Sequence, residues 1–504
     1  MQGTRVEVLE KLDTWASDAY SSKVYWMVGM AGIGKSSIAH TFCKSLDEKH
    51  MLGGSFFASR ASVDTSDARR IIPVIAHALA RASAPFKIEV VKAIENDSTL
   101  TELSYGNMEE KFKQLICNPI RATTVDKLYK VVVIDAIDEC PDHRQVSSLV
   151  KLIIHWASEI PLKVFISSRD ESPISKAFSL KDNKASKAEI FQLHEIEKDV
   201  VEKDIRTYLE TSLAEIEDEN CYDAAEEWPS PSELSGLAER SGTLFIYAAT
   251  AVRYIGDGQE DYKSRLSALV KQEQELINKF ETNIDSLYVH VLKKACDARE
   301  PHEVALMRDL VSIVIFLRNP LPMEAISSLS ERNDTHMRLS SLTSVIHIPK
   351  QLGAVVAPFH ASFPDFITNS GRCSPERCPL FRSLIASESH ELLALKCLKL
   401  MNRSLKYNIC EIPENLTISH IERTNSPENV GKIPEALKYS CVYWAAHLAQ
   451  VRVIDTVLID ALRVFLHEHL LHWIECLSTL GELQTGLKSL SSIVTVLSVS
   501  HALE

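Results

Sequence analysis

The sequence predicts an α/β domain built on a mostly parallel sheet, followed by an all-helical region that carries one small β-containing module. Three observations lead there. Strand-like and helix-like segments alternate up to about Leu193. A glycine-rich turn, Gly29 to Ser36, stands between the first strand and the first helix. After Glu195 the strand signal disappears apart from two short runs. Alternation of this kind implies parallel strands with helices on both faces.

Each element has its own warrant. Val24-Tyr25-Trp26-Met27-Val28 is an apolar strand-like run, and Ser36 to Lys49 has the apolar spacing of an amphipathic helix. Ser55-Phe56-Phe57-Ala58 is a second short strand, and Arg70 to Ala82 is helical in spacing. Lys130-Val131-Val132-Val133-Ile134 is continuous and β-branched, the pattern of a strand buried on both faces. A helix from Arg144 to Ser158 leads to the strand Lys163 to Ile166, and Glu189 to Leu193 closes the series. Helices follow at Asp199 to Leu213, Ser232 to Ser241, Leu244 to Tyr254 and Asn283 to Ala295, with Pro229 and Pro231 interrupting. Pro301 to Leu317, Met323 to Ser330 and Met337 to Thr343 form a helical trio. With the short runs Val345 to Ile348 and Ala354 to Pro358 as a two-stranded wing, they outline a winged-helix module. From Pro375 the chain is helical to its end, with a polar loop at Asn425 to Lys432 and no repeat of fixed period.

Composition narrows the function classes. Hydrophobic residues make up 45 % of the 504, so the chain packs. A net charge of −13 with no basic stripe argues against nucleic acid as a partner. No apolar run approaches the ~20 residues that span a bilayer, and residues 1–18 do not form a secretory signal. The eleven cysteines are scattered without a C-x-x-C, which reads as reduced thiols in a cytoplasmic protein.

Gly29-Met30-Ala31-Gly32-Ile33-Gly34-Lys35-Ser36 spells G-x-x-x-x-G-K-S, the phosphate-binding loop of nucleoside triphosphatases. Its glycines allow the tight turn that points N–H groups at phosphates, and the next helix, through Ser37, presents its N-terminus to them. Lys35 would reach the β and γ phosphates, and Ser36 would ligate Mg²⁺. Such a loop needs a second strand that ends in a carboxylate for the magnesium. Val131 to Ile134 ends at Asp135, the magnesium candidate. Asp138 or Glu139 would then orient or deprotonate the attacking water. The next strand ends in Ser167-Ser168-Arg169, where an arginine either senses the γ-phosphate or makes a surface ion pair.

These motifs resemble a known family. Gly29 to Ser36, Asp135-Ala136-Ile137-Asp138-Glu139-Cys140 and Phe165 to Arg169 are similar to the NACHT-type signal-transducing (STAND) triphosphatases, in particular the fungal NOD-like receptors with a nephrocystin-like N-terminal region. The small Ala136 and the acidic Asp138 belong to the NACHT pattern. The resemblance continues through Trp228-Pro229-Ser230, Gly242 to Thr250, His360-Ala361-Ser362-Phe363-Pro364-Asp365-Phe366 and Tyr443 to Leu448, from about Thr4 to Gly481. It implies a signal-transduction switch of innate immunity. Its parts would be a lead segment (1–20), a nucleotide-binding core (21–195), a helical lid (196–300), a winged helix (301–372) and a helical C-terminal region (373–504). It further implies slow hydrolysis of ATP, with GTP as the alternative, self-association or protein partners on triphosphate binding, and contact of His360 with the β-phosphate of ADP. Only 28 residues precede Gly29 and no repeat array follows, so the switch is expected without effector and repeat domains of its own. A non-hydrolysing nucleotide-binding scaffold is the alternative. Leu244 stands where related lids carry a base-contacting proline, which leaves the base open.

Two further signals carry less. His467-Glu468-His469-Leu470-Leu471-His472 lacks the H-E-x-x-H spacing of a zinc protease and reads as a solvated helix face. The sequons at Asn96, Asn402 and Asn415 have no secretory signal to make them meaningful.

Overall fold

The apolar runs of the first half become five parallel strands: β1 Val24–Val28, β2 Leu52–Phe57, β3 Lys130–Asp135, β4 Leu162–Ser168 and β5 Ala188–Gln192, in the order β2-β3-β4-β1-β5. The structure is a computed structural model that describes residues 3–101, 108–123, 130–178, 188–193, 196, 198–220, 228–258, 261–271, 283–297, 299–379, 381–411 and 426–501. The fold is an α/β P-loop domain followed by a mostly helical region, and the chain divides into two compact units, Met1–Ile284 and Asp285–Glu504.

Burial explains why the central strands read as unbroken apolar runs. Val24, Trp26 and Val28 of β1 and Val132 and Ile134 of β3 enter one core, with helices α3 Ile71–Ala82, α4 Ala84–Asn96 and α5 His143–Trp156. Tyr25 and Met27, with Val131 and Val133, enter a second core on the opposite face, with α1 Val6–Ser17 and α2 Lys35–Glu48. A strand buried on both faces cannot alternate apolar with polar residues. A cation within β4 departs from the pattern: buried Lys163 donates to the carbonyl of Asp18 (2.6 Å) and to Ser21 Oγ (2.6 Å), and to the Trp15 carbonyl. A cation there suits the carbonyl-rich end of α1.

β2 starts three residues before the expected Ser55. Leu52-Gly53-Gly54 lead into it, with a register shift against β3. A Cβ on Gly53 would stand 2.8 Å from Lys130 Cβ, so glycine permits an approach that any other residue would block. Helices α6 Lys198–Asn220, α7 Pro231–Ser241, α8 Phe245–Ile255 and α9 Tyr262–Lys271 complete the first unit.

The second unit begins with α10 Asn283–Cys296 and α11 Pro301–Phe316, then β6 Leu321–Pro322, α12 Met323–Ser330, α13 Thr335–Leu339, β7 Ile346–His347, β8 Val355–Pro358 and α14 Ser362–Ile367. The expected wing of two strands is a sheet of three, ordered β6-β8-β7, because the dipeptide Leu321-Pro322 pairs antiparallel with β8. A proline is admissible there because β6 is an edge. Helices α15 Ala386–Ser404, α16 Glu435–Leu448, α17 Thr456–Val464, α18 Leu470–Leu480 and α19 Leu483–His501 follow. The stretch read as a polar loop up to Lys432 holds a short helix, Pro427–Lys432, started by the Ser426 side chain accepting the Asn429 N–H. Asn425 and the Asn415 sequon lie outside the described residues.

Two histidines of this unit join a buried chain of hydrogen bonds. The Arg318 N–H donates to Tyr439 Oη (3.0 Å), Tyr439 Oη lies 2.7 Å from His447 Nε2, and His447 Nδ1 lies 2.9 Å from His390 Nδ1. Burial, reinforced by the Arg318 charge, pushes His390 down to about 4. Burial, reinforced by His390 and Arg318, pushes His447 down to about 3. Both rings are therefore neutral.

His467 is an exposed residue, as expected, but His469 and His472 are half-buried, with ring centroids 5.8 Å apart and Nδ1 atoms that are buried without partners. The reason is that a π-helical turn, Phe465–His469, rotates them off the solvent face before α18 begins. Among the described residues no group of three or more His, Cys, Asp or Glu could hold a metal ion, and no helix is long and apolar enough to cross a membrane.

Candidate phosphate-binding site

Parallel strands bring their C-terminal ends to one edge, and the loops after β1, β3 and β4 meet there. β1 runs into Gly29–Gly34, and Gly32 (φ +79°) and Gly34 (φ +97°) take the left-handed backbone that the turn needs. Four loop carbonyls are held by protein donors. Lys35 Nζ donates to Gly29 (2.7 Å) and Met30 (2.8 Å), the Ile246 N–H of α8 to Gly32 (3.0 Å), and Arg5 Nη2 to Ile33 (3.0 Å). In a trans peptide C=O and N–H point oppositely, so carbonyls fixed on one side turn the following N–H groups to the other. Ile33 is buried, Met30 is exposed, and Ala31, Gly32 and Gly34 lie between.

The helix that follows carries the charged and hydroxyl groups. Lys35 is its first residue and is 9 % exposed. Burial lowers its pKa, opposed by the carboxylates of Asp138, Asp135 and Glu139. Ser36 and Ser37 are exposed on the first turn.

Asp135 ends β3 at 2 % exposure. Its carboxylate accepts from Ser167 Oγ on β4. Burial raises its pKa, opposed by the Ser167 and Ser36 hydroxyls and the Lys35 charge. The Asp135 carboxylate and the neighbouring Ser36 hydroxyl are oxygen donors of the kind Mg²⁺ takes, so the residues fit that ion. Ala136 then adopts φ +52°, in the left-handed region, and starts a tight turn, Ile137–Glu139. A small side chain tolerates this backbone better than a branched one.

The turn separates the two candidate bases. Asp138, 3 % exposed, accepts from the Arg169 N–H (3.1 Å) and pairs with Arg169 Nε (3.2 Å). It therefore ties the β3 loop to the β4 loop. Glu139 Oε2 accepts the Arg60 N–H (3.1 Å) just beyond β2, and burial raises its pKa. A carboxylate with a raised pKa takes a proton more readily than an ordinary one.

β4 lies between the strands that carry the loop and the acid. Ser167 Oγ bonds Asp135 and accepts the Ala136 N–H (3.0 Å). The Ser168 carbonyl accepts the Gly29 N–H (3.1 Å), and its Oγ accepts Trp26 Nε1–H (2.9 Å). Arg5, Arg60, Ser167 and Ile246 escape sequence reasoning as site residues. Arg5, Arg60 and Ile246 act through backbone groups or at long range, and although Ser167 and Ile246 lie inside quoted motifs, nothing in the sequence marks either as a site residue.

His360 belongs to the second unit, between β8 and α14. Its Nδ1 accepts the Ser362 N–H (3.1 Å) and lies 2.7 Å from Ser362 Oγ, which is itself 2.7 Å from Tyr288 Oη. With Nδ1 accepting, the proton of the neutral ring sits on Nε2.

A family model described as nephrocystin 3, N-terminal, matches residues 3–169, the stretch from Gly3 through Arg169. No curated protein matches the chain. Among solved structures, a signal transduction ATPase with numerous domains with a tetratricopeptide repeat sensor, from Pyrococcus horikoshii, is 15 % identical at a TM-score of 0.38, over 98 % of this chain and 63 % of that one. Cdc6p from Pyrobaculum aerophilum is 12 % identical at a TM-score of 0.34, over 72 % of this chain and 93 % of that one. The Drosophila ORC bound to AT-rich DNA and Cdc6 includes a chain 12 % identical at a TM-score of 0.27, over 97 % of this chain and 69 % of that one. This chain thus spans less than two thirds of the length of the Pyrococcus protein.

Proposed function

We propose that the chain is a nucleotide-operated signalling switch of the NACHT-type STAND class, which binds ATP or ADP with Mg²⁺, GTP or GDP being the alternative, and hydrolyses slowly. The carrying observation is a glycine loop whose carbonyls are held by Lys35, Arg5 and Ile246, beside the buried Asp135 carboxylate that Ser167 Oγ holds at the end of β3. In this reading the N–H groups of Met30 to Ser37 and the Lys35 ammonium bind phosphate oxygens, and Ser36 and Asp135 hold the magnesium. The ion, when bound, neutralises developing phosphate charge. Glu139 takes a proton from water, while Asp138 steadies Arg169 for sensing the γ-phosphate. Residues 196–300 and 301–372 serve as lid and winged helix, and His360 contacts the β-phosphate of ADP. Triphosphate binding favours self-association or protein partners in the cytoplasm, in the manner of fungal NOD-like receptors of innate immunity.

A second reading, a non-hydrolysing scaffold, draws support from the Arg60 N–H that engages the Glu139 carboxylate. Chromatography of nucleotide released from the purified chain, with phosphate release measured under Mg²⁺-ATP and Mg²⁺-GTP, tests both. Co-purified ADP with slow turnover supports the switch, and GDP moves the base assignment. Binding without turnover supports the scaffold, and no binding of any nucleotide at millimolar concentration ends both readings.

A further inference from the structure

Arg5 lies 28 positions before Ile33, outside every motif, yet it touches the phosphate loop. It stands at the start of α1 with φ +57°, a left-handed backbone uncommon outside glycine. Its own N–H donates to Asp204 Oδ2 on α6 (3.0 Å). Its guanidinium lies 4.9 Å from the ring centroid of Phe245, the first residue of α8, and Nη2 donates to the Ile33 carbonyl. Ile246, the next residue of α8, donates its N–H to the Gly32 carbonyl. Arg5 is 7 % exposed, and its Nε and Nη1 are buried without hydrogen-bond partners. Unpaired buried donors and a strained backbone both cost free energy, and they persist only where the surroundings over-determine them.

We propose that Arg5 is a positioning residue that locks helices α6 and α8 onto the phosphate loop and thereby sets the rate of nucleotide release. The inference rests on the nucleotide-binding reading above. Its physical basis is peptide geometry. Fixing the Gly32 carbonyl orients the Ile33 N–H, and fixing the Ile33 carbonyl orients the Gly34 N–H, both away from the donors. One of these carbonyls is held by α8 and the other by Arg5, whose ring partner belongs to α8 as well. Movement of α8 away from the loop therefore loosens two phosphate-binding N–H groups together. A lysine could keep the charge but not the planar fork that stacks and donates at once.

The test uses the full chain and a fluorescent ADP analogue. Arg5→Ala is expected to release it about tenfold faster or more, in line with loss of a charged hydrogen bond. Arg5→Lys should recover little of that loss. Phe245→Ala should also speed release, and the double variant should be no faster than the quicker single one, since coupled partners are non-additive. Release within twofold of the parent, or strictly additive effects, overturns the lock. Amide exchange at Ile246 in the nucleotide-free chain separates this failure from failure of the nucleotide reading. Exchange that rises in Arg5→Ala or Arg5→Lys upholds the lock even if no nucleotide binds, and unchanged exchange in a folded variant removes it.

Discussion

Two clusters, one in each unit, bury their ionisable groups in opposite ways. In the first, Lys35, Asp135 and Asp138 are almost fully buried beside Glu139 and Arg169, and the set carries charges of both signs at one sheet edge. In the second, Tyr439, His447 and His390 form a chain whose rings are kept neutral. Buried charge is costly, so a cluster that keeps it is held for chemistry or binding. A neutral hydrogen-bonded chain costs little and fixes one packing arrangement. Perturbed ionisation occurs in both places, but only where charge survives does it point to a site.

The strongest test of this contrast is Lys35→Ala. Removing the one cation of the loop should abolish measurable nucleotide binding, a loss of at least about a hundredfold, without unfolding the chain, because charge-assisted bonds to phosphate are about twice as strong as neutral ones. Calorimetric titration that gave parental affinity would discard the phosphate-loop assignment. Next in size, Glu139→Gln should keep binding and slow phosphate release by about 10²–10⁴, the usual worth of a general base. Parental turnover in that variant would move the role to Asp138, which would then have to leave Arg169.

His360→Ala is expected to speed ADP release by about one to two decades, the worth of a charged hydrogen bond, and to raise self-association. An unchanged ADP off-rate in a folded variant would take His360 out of the site.

The neutral histidine pair of the second unit should respond to pH. Its two depressed histidines bind no proton until about pH 4 and 3, whereas in the unfolded chain they protonate near 6.5. The unfolded state therefore binds more protons between those limits. Stability present above pH 6.5 falls as pH drops toward 4, by several kcal/mol. Amide exchange in α15 and α16 at pH 7.5 and 5.0 would show it. If His390→Phe/His447→Asn kept the full pH slope, the chain would have no part in it.

Much of this was legible in the sequence, for identifiable reasons. The central strands announced themselves because both faces are buried, and Asp135 was found because the motif demands a carboxylate at a strand end. β2 was clipped because Gly53 and Gly54 carry no strand signal, although the close approach to Lys130 requires a glycine. β6 was invisible, being a dipeptide that ends in proline. The helix at Pro427 was missed despite a readable serine cap. Arg5 could not have been found by spacing, since its contact with Ile33 depends on where α1 docks. That Asp138 meets Arg169 while Glu139 meets Arg60 could be seen only with the turn that Ala136 begins.

Ser167 and Ser168 also bear on how freely this chain can vary. They are adjacent, fully buried and touch no phosphate-binding atom directly, yet one hydroxyl is committed to β3 and the other to β1. Because β4 intervenes, the loop strand and the acid strand share no edge and are registered to one another through this dipeptide. Alanine at either position would leave a buried polar group unsatisfied, and a larger residue has no room. In a saturation library, substitution tolerance should therefore reach its minimum at a pair of side chains that no ligand-contact map would flag, and a homologue that replaced one serine would be expected to carry a compensating change on the strand that serine serves.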